Sequence, residues 1–171
     1  MSEIQLFQDV LLIEDEPAHA QLITRALRGL VGEVHHAKSG ADAMEKLVTI
    51  LPELVLCDLY LGDTTGLVLL KELLRVRPGL PVIMMTSSLK IDDAVTAMRD
   101  GAWDYLVKQL TDDFHSRLQL VLARAADRRD RSVKELQLRA ERDAFWRVVR
   151  SAQDGVAVTT ADGTVVFAND A

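Results

Sequence analysis

Residues 54–74 read LVLCDLYLGDTTGLVLLKELL. Four apolar residues run without interruption into Asp58. A continuous apolar run this short, bounded by polar residues, fits a strand covered on both faces. Beyond a polar turn containing Gly62, residues Leu67, Leu70, Leu73 and Leu74 fall on one helical face, and the pattern stops before Pro78. The stretch is a strand, a loop that opens on a carboxylate, and a helix.

The same alternation continues in both directions. Apolar runs occur at residues 10–13 (VLLI), 31–37 (VGEVHHA), 82–85 (VIMM) and 103–107 (WDYLV). Three of the five runs are continuously apolar. The second and fifth are mixed, as edge strands tend to be. Pro17 suits a first helical position behind Asp15 or Glu16, with Gly29 at the exit. Ser39 suits the cap of a helix ending before Pro52, and residues 91–100 form a shorter helix closed by Gly101. From about Asp112 a helical pattern runs to about Val149 without a Gly or Pro. Alternating strands and helices with right-handed crossovers predict an α/β, flavodoxin-like doubly wound fold. Its five-stranded parallel sheet would have order 2-1-3-4-5, with a long C-terminal helix.

Composition narrows the class. The chain has 171 residues, room for one medium domain and part of another, and 49% of them are apolar. The net charge of −6 argues against direct nucleic-acid binding. The charge is uneven: residues 124–150 carry nine basic and five acidic side chains, so the acidic excess belongs to the first domain. Cys57 is the single cysteine, which excludes a disulfide framework and fits a reducing compartment. No segment approaches the roughly 18 apolar residues of a spanning helix. The expectation is a cytoplasmic chain without membrane insertion.

In a doubly wound sheet the ligand site lies outside the carboxyl ends of the strands, at the switch in strand order. Strand 1 ends in Glu14-Asp15, strand 3 in Asp58, strand 4 in Thr86-Ser87 and strand 5 in Lys108. Three carboxylates, a hydroxyl and an ammonium would therefore converge. Hard oxygen donors with open positions suit Mg²⁺. Together with Lys108, such an ion would neutralise a transferring phosphoryl group, and Asp58 could form an acyl phosphate. Taken singly, each residue is ordinary: an Asp after a strand is commonly a cap, and a Lys after an edge strand is commonly solvated. Their joint placement at four strand ends is what points to chemistry.

The runs LLIEDEP, LVLCDLYLGDTTGLVLLKELL, PVIMMTS and GAWDYLVK resemble the response-regulator receiver family of two-component systems over about residues 8–125. That resemblance implies Asp58 as phosphoacceptor, Thr86 and Lys108 as catalytic partners, and Tyr105 as an aromatic switch. It also implies metal binding by Asp15, Asp58 and the Tyr60 carbonyl, with Glu14 acting through water. The implied function is Mg²⁺-dependent phosphoryl transfer from a histidine kinase or phosphotransfer protein to Asp58. The resemblance further implies that the receiver would catalyse its own phosphorylation and dephosphorylation, with any output enzyme expected outside this chain. Three residues depart from the pattern. Gln109 follows the lysine where proline with a cis bond is usual, Gly62 replaces a usual proline, and Tyr60 is large enough to shade an acyl phosphate from water.

Two rival functions stand beside this one. A docking or dimerisation module with an unphosphorylated receiver fold is opposed by the intact Glu14, Asp15, Asp58, Thr86 and Lys108. An aspartyl-nucleophile phosphatase would want a carboxylate two residues after the nucleophile, where Tyr60 stands. His35 and His36 have neither Cys nor carboxylate at ligand spacing and read as ordinary edge-strand histidines. His115 lacks the surroundings of a kinase phosphohistidine.

Beyond the domain, Leu118, Leu122, Ala125, Val133, Leu136, Ala140, Phe145 and Val148 recur at helical spacing, interrupted by Arg129. Either a solvated linker helix or a parallel coiled coil joining a homodimer fits. Residues 126–147 are the expected helical linker. Residues 148–171 resemble the truncated start of a PAS domain, with short strands at 156–159 and 164–167 flanking Ala161-Asp162-Gly163. The acceptor site is expected to be polar and partly solvated.

Overall fold

The computed structural model describes residues 5–87, 90–109, 111, 113–151 and 157–168. Each of the five apolar runs becomes a strand: β1 (Phe7–Ile13), β2 (Val31–Ala37), β3 (Leu54–Asp58), β4 (Val82–Thr86) and β5 (Asp104–Val107). Between them lie α1 (Pro17–Leu27), α2 (Gly40–Ile50), α3 (Gly66–Val76) and α4 (Ile91–Arg99), and α5 (Phe114–Ser151) follows. The sheet order is β2-β1-β3-β4-β5, every pairing parallel. The mixed strands β2 and β5 are the two edges, as their sequences imply.

The period-two alternation of the strands sorts their side chains onto two faces. Val10, Leu12, Leu54, Leu56, Ile83 and Met85 pack against α1 and the first turns of α5, through Ile23, Leu27, Leu118 and Leu122. Leu11, Ile13, Val55, Val82 and Met84 pack against α2, α3 and α4, through Leu47, Leu69, Leu73 and Ala97. Each such fully buried Leu or Ile contributes about 1.5–3 kcal/mol relative to exposure. Local signals hold at the helix ends. Ser39 Oγ accepts from the Asp42 amide at 3.1 Å, and Pro17 opens α1 behind Glu16. Gly66 lies where α3 meets β3; a Cβ there would stand 2.1 Å from the Asp58 carbonyl oxygen.

The chain divides into two compact units, Met1–Arg128 and Arg129–Ala171. In the second, β6 (Ala157–Thr159) and β7 (Val165–Ala168) pair antiparallel around a turn in which Gly163 has φ 87°. The second strand begins one residue later than its sequence pattern implies. Val156, at the start of the first, lies outside the described residues, as does Asp112 before α5. Phe167 of β7 meets Trp146 edge-on, ring centroids 4.8 Å apart. Along α5, Leu118, Leu122 and Ala125 are buried, whereas Val133, Leu136, Phe145 and Val148 are exposed.

Candidate functional site

Parallel register brings the carboxyl ends of the strands to one edge. Ile13 lies beside Cys57, Asp58 beside Met85, and Thr86 beside Val107. The next residues, Glu14 and Lys108, therefore flank Asp58 from either side. Lys108 Nζ donates to Asp58 Oδ2 at 2.6 Å and to Glu14 Oε2 at 2.7 Å. The three side chains are only 3%, 7% and 1% exposed for Lys108, Asp58 and Glu14 respectively. The expectation of a partly solvated site is corrected on this point: Glu14, Asp58 and Lys108 are all buried, and of the three carboxylates only Asp15 is exposed.

Burial governs the electrostatics. It pushes the Glu14 carboxyl up from 4.5, the Lys108 bond works against it, and the Asp58 charge adds to it. For Lys108 burial opposes the ammonium, but the bonds to Asp58 and Glu14 outweigh it and hold the amine above 10.5. One ammonium thus faces two buried carboxylates. Glu14, Asp15 and Asp58 each offer an oxygen within 4.8 Å of the others. This donor set, all oxygen, with one member open to water, fits a hard divalent cation.

The remaining expected residues sit around this centre. Thr86 is buried at the end of β4, and its carbonyl accepts from the Lys108 amide at 2.6 Å. Tyr105 turns its hydroxyl inward, where burial pushes the phenol up and the neighbouring Thr86 side chain works the other way. Tyr60, two residues past Asp58, is 48% exposed, and its hydroxyl donates to Asp93 Oδ2 at 3.2 Å. The Lys108–Gln109 peptide is trans, and Arg117 of α5 donates to the Gln109 carbonyl at 2.5 Å and to the Val107 carbonyl at 3.2 Å.

Several contributors carry no sequence signal. His36 Nε2 donates to the Glu14 carbonyl at 2.7 Å, and His19 Nδ1 lies 3.7 Å from Glu14 Oε1. Asp63 accepts from the Gly40 and Ala41 amides at the start of α2, at 3.0 and 3.3 Å. The reading of His35 needs a correction of detail. Asp9, on the neighbouring strand, lies 2.8 Å from its Nε2, and Glu33 lies 3.8 Å from Nδ1. Asp9, Glu33 and His35 each offer a ligand atom within 4.8 Å of the others, so carboxylates from two strands do stand at ligand distance from this imidazole. His115 Nδ1 donates to the Ala26 carbonyl at 2.8 Å.

The response regulator receiver domain family matches residues 10–119. This chain belongs to that family. The receiver is 38% identical over 117 residues to the transcriptional regulatory protein ZraR of Klebsiella oxytoca, covering 68% of this chain and 26% of that protein. It is 38% identical over 97 residues to the luminescence regulatory protein LuxO of Vibrio campbellii, covering 57% and 21%. Among solved structures it resembles the receiver domain of NtrX from Brucella abortus, with TM-score 0.64 and 33% identity over 70% of this chain and 98% of that one. The chain thus spans about a quarter of the length of the curated relatives it matches. No helix among the described residues is long and apolar enough to cross a membrane.

Proposed function

We propose that the receiver is a phosphorylation-controlled switch whose acceptor is Asp58. The observation that carries this is the buried Glu14–Lys108–Asp58 arrangement, with Asp15 open beside it. A structural ion pair would need one carboxylate, not three. In the proposed reaction an Asp58 oxygen attacks phosphorus, the phosphorus–nitrogen bond of a donor phosphohistidine breaks, and its electron pair stays on the departing imidazole. Lys108 offsets charge on the phosphoryl oxygens, and Thr86 hydrogen-bonds one of them once the group has arrived. Asp15, Asp58 and the Tyr60 carbonyl would hold Mg²⁺, with Glu14 reaching it through water. The ion's chemistry there is to neutralise the carboxylates and the incoming anion.

The donor would be a histidine kinase or phosphotransfer protein. Added charge on Asp58 would reorder Thr86 and the Tyr105 ring. The helix would carry that change to further domains, with residues 8–125 as receiver, 126–147 as linker and 148–171 as the start of a PAS-like domain. The hairpin of β6 and β7 and its contact with Trp146 support the last assignment. A cytoplasmic location without direct nucleic-acid contact accords with the acidic charge.

Mass spectrometry after incubation with a small acyl phosphate and Mg²⁺ tests the proposal. One added phosphoryl group on the wild type and none on Asp58→Asn is the expected result. Labelling of both variants would move the chemistry elsewhere, and labelling of neither would favour the docking module. Rapid turnover of phosphate esters without a stable acyl phosphate would favour the phosphatase.

A further inference from the structure

We propose that Asp9, Glu33 and His35 form a binding site for a divalent ion of the zinc type, at the β1–β2 edge of the sheet and apart from the acceptor. Each residue offers one ligand atom, an imidazole nitrogen or a carboxylate oxygen, and the three atoms lie within 4.8 Å of one another. The inference does not depend on the acceptor reading. Asp9 precedes Glu14 by five residues, roughly 16 Å along an extended strand.

Strand register assembles the set. Parallel pairing puts Asp9 opposite Glu33 and Leu11 opposite His35. Side chains alternate along a strand, so Glu33 and His35 share one face of β2, and Asp9 points to the same face from β1. The backbone beneath them is fixed. β1 is bonded to β2 on one side, and on the other the Asp9 carbonyl accepts from the Glu53 amide at 2.8 Å. Because β2 is an edge strand, the set is open to ions from solvent. The Asp9 and Glu33 side chains are 42% and 74% exposed, and the imidazole 19%.

The distances suit an ion. Zn²⁺ takes nitrogen and oxygen ligands at about 2.0–2.2 Å in a tetrahedron, which sets ligand atoms about 3.4 Å apart. His35 Nε2 lies 2.8 Å from Asp9 Oδ1, and His35 Nδ1 lies 3.8 Å from Glu33 Oε1. Only one ring nitrogen takes the ion, so the other carboxylate must swing toward it. Glu33 is the more exposed of the two and turns about its own bonds to do so.

The donor types select the ion. An imidazole beside carboxylates suits zinc, nickel or copper, whereas Mg²⁺ prefers an all-oxygen shell with several waters. Three protein ligands leave a fourth position for water. The two carboxylates repel each other across the strand pair, and the partner described for both is His35, which carries at most a single positive charge. A divalent ion neutralises both acids and cross-links β2 to β1, so its binding stabilises the folded chain.

The test titrates Zn²⁺ into the full chain with millimolar Mg²⁺ present to compete for Glu14, Asp15 and Asp58. Bound zinc is counted by equilibrium dialysis, and the melting temperature is followed alongside. The wild type should bind one Zn²⁺ per chain and melt higher with it, and Asp15→Asn should do the same. His35→Ala and Asp9→Asn should each weaken binding by at least about tenfold, the smaller loss found even for residues that only support a ligand. Both should also lose the zinc-dependent rise in melting temperature. Glu33→Gln should weaken binding as well, and at so exposed a position it keeps the test decisive should the other two fail to fold. His115→Ala should bind as wild type: that ring bonds the Ala26 carbonyl of α1, on the opposite face of the sheet. No zinc binding in the presence of Mg²⁺ would overturn the site and leave a plain cross-strand hydrogen bond. Binding that survives in both His35→Ala and Glu33→Gln, or that is lost in Asp15→Asn, would place the ion elsewhere and overturn it equally.

Discussion

At the residue scale the decisive side chain is Lys108. An ammonium 3% exposed is tolerable only because two carboxylates bond it, and the two carboxylates are tolerable only because it is there. Lys108→Ala should accordingly lower stability by about 3–5 kcal/mol, the usual cost of unpairing a buried charge. Millimolar Mg²⁺ should restore part of that loss, because a cation relieves the same repulsion. Thermal melts with and without Mg²⁺ check this; a variant as stable as wild type in chelator would mean the carboxylates are already protonated. Asp58→Asn is milder. Asparagine still offers Lys108 an oxygen and Glu14 remains paired, so the melting temperature should stay near normal even though the site is buried.

At the element scale, the loop after β3 is anchored to α2 as well as to α4. Asp63 caps the start of α2, and the Gly40 amide, aided by that of Ala41, holds its carboxyl below the ordinary 3.8 against the opposing effect of desolvation. A depressed folded pKa means a contribution that is present above the unfolded value and lost as pH falls through the folded one. The melting-temperature gap between wild type and Asp63→Ala should therefore be constant above the unfolded carboxylate value and close as pH falls through the depressed folded one. A gap that persisted in acid would show that the contact is steric rather than ionic. The same loop explains how Gly62 is accommodated: Asp63 and Tyr60 restrain the backbone from either side of it, where proline would have done so covalently.

At the scale of the whole molecule, α5 serves two regions. Its first turns complete the core of the receiver through Leu118, Leu122 and Ala125. Farther along, Leu136 is 65% exposed, and Val133, Phe145 and Val148 are exposed with it. Each Leu covered in a dimer could add about 1.5–3 kcal/mol, and several such layers would overcome the entropic cost of association. We expect a chain ending near Ala126 to sediment as a monomer and the 171-residue chain as a dimer at micromolar concentration. Two monomers would make the helix a tether, and two dimers would put the contact on the receiver surface.

The sequence by itself determined the strands, their edge or central places, the Ser39 cap and the carboxyl-end positions of Glu14, Asp58, Thr86 and Lys108. These follow from local periodicity and from the rule that a doubly wound sheet gathers its strand ends. Only the tertiary structure decided that Lys108 is buried between partners 94 and 50 residues distant. The same holds for His36 under Glu14, Asp9 beside His35, Asp63 on α2 and Tyr60 on Asp93. Each of those contacts depends on strand register or on the path of a loop, and no local pattern of residue types encodes where a side chain from another element will arrive.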